Sequence, residues 1–157
     1  MSYSTRFHHF TVERRIDAPP ALTFSAWSTA EAKAQWFAGP NTWTQLDRHF
    51  DFREGGSECV EGRFDTGKVS LFRCQYHNIV PDERIIYSYD MFVDDVRISV
   101  SLATIEFIAD GDGTRLKLTE QIVHLDGYPT PEDREVGTRY LVEMAATYVE
   151  SLEHVAT

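Results

Sequence analysis

The chain has 157 residues, of which 42% are hydrophobic and 13% aromatic. This composition excludes a disordered chain, and the length fits one domain spanning residues 1–157. Fifteen basic residues against twenty-five acidic ones give a formal net charge of −10, so nucleic acids and anionic membrane surfaces are disfavoured as partners.

The N-terminal segment MSYSTRFHHF has no apolar signal core, and no apolar run approaches the roughly 20 residues that span a bilayer. Cys59 and Cys74 lack the spacing of zinc or redox motifs. We interpret them as reduced thiols, with a disulfide between neighbouring strands as the alternative. We therefore expect a cytoplasmic protein.

The first part of the chain predicts a strand followed by two short helices. Residues 7–17 alternate apolar and polar side chains, as in a strand, and the prolines at 19 and 20 end that pattern. Helical spacing follows at 21–27 and again at 30–37, where Thr29 suits the N-cap of the second helix. Short turns then separate six further strands, which predicts an antiparallel meander at 44–53, 57–65, 68–80, 84–93, 96–109 and 114–124.

A long helical pattern over residues 131–155 closes the chain. Pro131, Glu132 and Asp133 suit its start, where free N–H groups favour negative charge. Large apolar residues then recur at every fourth position: Val136, Tyr140, Met144, Tyr148 and Leu152. We predict that this stripe faces the sheet, because a lone long helix must bury its apolar side. The order of elements is that of an α+β protein.

Short strings along the chain carry a family resemblance. They are ERRIDAPP (13–20), FSAW (24–27), AQWFAGP (34–40), FREGG (52–56), PDERI (81–85) and GTRL (113–116). With them the chain resembles bacterial homologues of the heat shock protein 90 ATPase activator domain over about residues 13–152. The resemblance implies the START-like, birch-pollen-allergen-like helix-grip fold of the SRPBCC (polyketide cyclase-like) superfamily.

In that fold a curved seven-stranded antiparallel sheet wraps around a long C-terminal helix, commonly around a hydrophobic cavity, and two short helices follow the first strand. Gly137-Thr138 stands where family members often carry Gly-Trp. We therefore expect the pocket of this protein to differ from theirs at that point.

Strand alternation predicts which side chains face the helix. Residues Ile85, Tyr87, Tyr89 and Met91 share one face, as do Leu116, Leu118, Glu120, Ile122 and His124. Glu120 is a carboxylate among apolar residues, and Arg14 stands in the same way between Val12 and Ile16. Because the first and last strands of a helix-grip sheet are neighbours, we predict an Arg14–Glu120 ion pair. This pair is either structural, or it binds the polar end of a ligand or supplies a general acid or base.

The many aromatic residues indicate a mixed apolar and polar pocket, since each buried tyrosine needs a partner for its hydroxyl. The candidate ligand-binding residues are Trp36, Tyr76, Tyr87, Tyr89, Met91, Glu120, Val136, Tyr140 and Met144. On the strand at 96–109 the apolar residues change phase, so we predict a bulge near Ala103-Thr104. Whether Arg97, Ser99 and Ser101 face the cavity depends on that bulge.

No metal or cofactor site is predicted, because no Cys/His/carboxylate spacing fits one and the rings of His8 and His9 point to opposite faces. His77 and His124 are weak candidates for a base, and no nucleophilic triad is recognisable. Three hypotheses remain. The protein binds a small hydrophobic or aromatic ligand, or is a cyclase- or hydratase-like enzyme using Glu120 and tyrosines, or is a partner of a chaperone ATPase. A homodimer is compatible with each.

Overall fold

The structure, a computed structural model, describes residues 3–127 and 131–156. In chain order its elements are β1 (Thr5–Ile16), α1 (Pro20–Ser28), α2 (Ala30–Trp36), β2 (Thr44–Phe50), β3 (Ser57–Arg63), β4 (Val69–Val80), β5 (Arg84–Val93), β6 (Val96–Asp110), β7 (Gly113–Leu125) and α3 (Pro131–Ala156). Pro20 begins α1, where a missing N–H costs no helical hydrogen bond. The Thr29 hydroxyl caps α2 by accepting the Ala32 N–H at 3.2 Å, as predicted.

The strands form one antiparallel sheet in the order β1-β7-β6-β5-β4-β3-β2. Six of the strands follow one another as a meander, and β1 joins the far edge of β7 with Thr5 opposite Leu125. α3 packs against β1, α1 and α2. The predicted α+β helix-grip fold is thereby confirmed.

The buried face of α3 differs from the predicted one. Exposure along the predicted stripe falls from 67% at Val136 to 52% at Tyr140 and 38% at Met144, and Tyr148 and Leu152 are half-buried. A helix of 3.6 residues per turn advances about 40° at each step of four, so a stripe with this spacing winds around the helix. Over residues 132–152 the side chains that α3 buries are smaller ones: Thr138, Val142, Ala145, Ala146 and Val149.

The predicted bulge near Ala103-Thr104 is wrong. The irregularity lies at the start of β6, where Met91 pairs with Ser99 and Phe92 with Arg97, leaving Ile98 as the extra residue. From Ser99 onward β6 keeps one phase, so Ser99 and Ser101 are buried while Arg97 is exposed. None of the helices in the two described ranges is both long and apolar enough to span a membrane.

Candidate functional site

A cavity of about 480 Å³ lies between the inner face of the sheet and the first half of α3. The segment that follows α2 forms part of its wall, with Phe37, Pro40 and Trp43. Of the predicted ligand-binding residues, those that line it are Trp36, Tyr87, Tyr89, Met91, Glu120 and Tyr140. The remaining predicted residues lie outside the lining: Tyr76 is buried behind it, and Val136 and Met144 are exposed on α3.

Aromatic rings in mutual contact build the apolar wall. Phe72 packs against Phe37 and against Tyr89, with ring centroids 5.0 and 4.9 Å apart. The Trp36 indole N–H donates to the Ala26 carbonyl at 2.8 Å, so this polar atom needs no partner from a ligand. The wall therefore offers ring faces and edges to whatever enters.

The Trp43 indole packs closely against a glycine of β3. A Cβ atom at Gly62 would lie 1.9 Å from Trp43 Cε2, so only glycine leaves room for the indole at this place. Gly39 is similarly close, since a Cβ there would lie 2.4 Å from Trp43 Cγ. Two glycines thus fix the position of a cavity-lining tryptophan that belongs to no helix or strand.

Glu120 lies at the centre of a cluster of polar side chains on the cavity wall. It is buried on β7, and its Oε1 accepts the Tyr89 hydroxyl while its Oε2 accepts the Thr138 hydroxyl at 2.7 Å. These bonds replace water around a carboxylate that would otherwise be costly to bury. Burial, and then the charge of Glu120, raise the pKa of Tyr89, so the Tyr89 hydroxyl keeps its proton.

Arg134 of α3 completes this polar end. Its Nη1 donates to the Tyr89 hydroxyl at 3.2 Å and to Ser101 Oγ at 3.4 Å, and its Nη2 donates to Ser99 Oγ at 2.7 Å. Sequence reasoning missed Arg134, and it placed Thr138 at the pocket through the family resemblance without giving its hydroxyl a role. The signal was present in the spacing of Thr138, Val142, Ala145 and Val149, which repeats at intervals of three and four.

The predicted Arg14–Glu120 ion pair does not form. Although β1 and β7 are neighbours, Glu120 lies opposite Phe10, and Arg14 lies opposite Leu116, four residues or about 13 Å away along the strand. Arg14 instead contacts two carboxylates of α3. Its Nε donates to Glu143 Oε1 at 2.8 Å and its Nη1 to Glu150 Oε2 at 3.2 Å.

A second buried carboxylate, which sequence reasoning did not identify, pairs with a lysine that lines the cavity. Glu58 of β3 is fully buried, and its Oε1 accepts Lys33 Nζ at 2.9 Å and the Tyr76 hydroxyl at 2.6 Å. Lys33 lines the cavity, and its Nζ also lies 4.8 Å from the centre of the Phe37 ring. Burial, followed by the charge of Glu58, raises the pKa of Tyr76. The signal in the sequence was that Glu58 shares its strand phase with Val60.

The histidine candidates lie outside the cavity lining. His77 pairs with Ser88 Oγ at 2.7 Å on an exposed surface. His124 is buried, and neither ring nitrogen has a hydrogen-bond partner in the described part of the chain. Burial and the charge of Arg134 lower the pKa of His124, so its ring is neutral at pH 7. The described residues contain no group of three or more metal-ligating side chains.

The comparisons with known proteins match this architecture. The profile of the family described as Activator of Hsp90 ATPase homolog 1-like protein matches residues 17–156. The chain belongs to this family. The resemblance inferred from the short sequence strings is thereby confirmed.

Solved structures of similar proteins show the same fold. An uncharacterized protein from Rhizobium leguminosarum is 39% identical, with a TM-score of 0.92 and coverage of 96% of this chain and 99% of that one. The Mll3558 protein from Rhizobium loti is 35% identical, with a TM-score of 0.85 and coverage of 92% and 99%.

At lower identity, 19%, the AHSA1-like protein from Aeromonas hydrophila has a TM-score of 0.69 and coverage of 93% of this chain and 94% of its own. Its likeness extends to the fold alone. No curated protein matches the chain significantly.

Proposed function

We propose that this domain binds a small hydrophobic or aromatic molecule in the cavity between the sheet and α3. The observation that carries the proposal is the combination, in one cavity of about 480 Å³, of aromatic walls with a hydrogen-bonded polar group at one side. Small-molecule sites have volumes of roughly 300–1,000 Å³ and join apolar walls to a few placed polar groups. The ligand's rings would pack on Phe72 and Tyr87, with its polar end near Tyr89.

A ligand screen tests this proposal. Aromatic, lipid and polyketide-like compounds are tested by thermal shift and native mass spectrometry, and we expect some of them to bind with a stoichiometry of one. Leu141 lines the cavity from α3, so Leu141→Trp should fill the space and abolish binding. Val136, on the exposed side of the same helix, provides the matched control Val136→Trp, which should bind normally. Absence of binding across all compound classes would reject the proposal.

One observation favours an enzyme as the second candidate. The Tyr89 hydroxyl lies between the Glu120 carboxylate and the Arg134 guanidinium, an arrangement in which a proton can move between Tyr89 and a bound molecule. In a cyclase- or hydratase-like reaction Tyr89 would take a proton from the bound molecule as its own hydroxyl proton passes to Glu120. Tyr89→Phe separates the two functions, because it should remove turnover of a ligand that still binds. Equal turnover by Tyr89→Phe would exclude this role.

The description of the family supports a chaperone partnership as a third candidate function. That the protein acts in the cytoplasm is a separate proposal. Retention of the purified domain on immobilised bacterial chaperone, in the presence and absence of nucleotide, tests the partnership. Lack of retention under both conditions would reject it.

A further inference from the structure

We propose that Arg134 binds a carboxylate of the ligand, so that the cavity selects aromatic carboxylic acids over their neutral analogues. This inference rests on the proposed ligand-binding function. It assigns the chemical class of the ligand's polar end and the direction in which the ligand lies.

Arg134 has hydroxyl partners at the positions where an ion pair would place a carboxylate. All three of its hydrogen bonds go to hydroxyl oxygens, those of Tyr89, Ser101 and Ser99, and no carboxylate within the described ranges pairs with it. Arg139, five residues further along α3, pairs with Glu135 at 3.0 Å. Arg134 therefore carries a positive charge into the cavity wall with only neutral groups bonded to it.

The donor count of Arg134 fits a carboxylate. A guanidinium has five N–H donors, and the three bonds to hydroxyls leave two without a partner in the described part of the chain. A carboxylate presents two acceptor oxygens and forms paired, charge-assisted hydrogen bonds with arginine. The hydroxyls of Ser99 and Ser101 hold the guanidinium in place before the ligand arrives, which lowers the entropy lost on binding.

Two carboxylates also line the cavity, and their negative charges limit how strongly Arg134 can favour an acid over its amide. Asp133 is exposed at the start of α3, where water screens its charge. Glu120 is buried, but both of its oxygens accept hydroxyls, and the Tyr89 hydroxyl lies between it and Arg134. Glu120 therefore does not occupy the free donors of Arg134, yet its negative charge weakens the attraction for a second anion. We expect a preference for the acid of about tenfold, or about 1.4 kcal/mol.

Matched pairs of probes test the assignment by calorimetry at neutral pH: naphthoic acid with naphthamide, and cinnamic acid with cinnamamide. The wild type should bind each acid about tenfold more tightly than its amide. Arg134→Gln should remove the difference while leaving the amide's affinity within about twofold, because the apolar wall is intact. Arg134→Lys should keep part of the preference, since it retains the charge and loses the planar fork. The matched control Arg139→Gln should behave as the wild type.

The outcomes separate this inference from the function on which it rests. Equal affinity for acid and amide in the wild type would overturn the selectivity and leave ligand binding supported. A preference for the acid that persists in Arg134→Gln would overturn the role of Arg134. Failure of every probe to bind, together with a blank ligand screen, would overturn both. Circular dichroism of each variant verifies folding, and Arg134→Lys carries the test if Arg134→Gln does not fold.

Discussion

Replacing Lys33 with methionine should destabilise the protein more than any exposed lysine replacement. Lys33 is 5% exposed and Glu58 is 0% exposed, and their charged atoms are 2.9 Å apart. Methionine has an apolar stem of similar length but lacks the ammonium that lies over the Trp36 and Phe37 rings. It leaves the Glu58 charge buried with only the Tyr76 hydroxyl, among the described residues, bonded to it. Removing one partner of a buried ion pair costs about 3–5 kcal/mol. That is a large fraction of the roughly 5–15 kcal/mol that stabilises an ordinary domain.

A second replacement, of Glu58, tests whether the unpaired buried charge causes the loss of stability. In Lys33→Met/Glu58→Gln the buried charge is gone, and the glutamine can still accept the Tyr76 hydroxyl. We therefore expect the double variant to recover more than half of the loss seen in Lys33→Met. Such non-additivity is typical of groups in direct contact.

Equilibrium unfolding in urea, followed by circular dichroism and tryptophan fluorescence at neutral pH, measures these differences. Equal slopes of the free energy of unfolding against urea concentration show that the variants expose similar surface areas when they unfold. Lys68 is exposed, so Lys68→Met provides the control and should change the free energy of unfolding by no more than about 0.5 kcal/mol. A loss below about 1 kcal/mol for Lys33→Met, or a double variant no more stable than the single one, would refute the reasoning.

Three further predictions concern single residues. Gly62→Ala should displace the indole of Trp43, shift tryptophan emission and weaken binding in the cavity; unchanged emission and binding would contradict the close packing. Because burial and then the Arg134 charge lower the pKa of His124, stability should be complete above about pH 6.5 and fall as the pH drops toward the folded-state pKa. In urea titrations His124→Gln should flatten that fall, and an equal decline in the variant would exclude His124 as its source. Burial raises the pKa of the Cys74 thiol to about 12 and also raises that of half-buried Cys59. A thiol reagent should therefore label Cys59 before Cys74 in the native protein, and rapid native labelling of Cys74 would count against its burial.

The inner face of the sheet could be predicted from the sequence because a strand alternates with a period of two. That rule correctly placed Tyr87, Tyr89, Leu118 and Glu120 on the side that faces the helix. Because successive strand residues point to opposite faces, the predicted face does not drift from one end of a strand to the other. In β6 the rule failed, because the bulge predicted near Ala103-Thr104 does not exist and the extra residue is Ile98, where the pairing with β5 accommodates it.

The polar residues of the cavity were harder to predict, since they depend on contacts between elements that are distant in the chain. The helical stripe was chosen by the size of its side chains, whereas close packing on β1 and α1 favours small residues such as Ala145 and Ala146. That choice placed Arg134 on the wrong side of α3, whereas the family resemblance correctly indicated Thr138 as a pocket position. Lys33 and Glu58 are likewise separated in sequence, and nothing local indicates that α2 lies over β3. Strand phase could identify Glu58 as buried, but not its partner.

The position of β1 at the edge of the sheet has a consequence for the order in which the chain is assembled. Among the strands that the structure describes, β1 pairs with β7 alone, so Thr5 cannot meet Leu125 until the whole meander has been synthesised. At about 5–20 residues per second, ribosomal synthesis leaves β1 waiting on the order of ten seconds with its strand edge unpaired. During that interval β1 is the segment most open to a chaperone or to pairing with another nascent chain. The closing of the sheet by β1 should therefore be a late, slow event in folding, because it joins the two most distant strands.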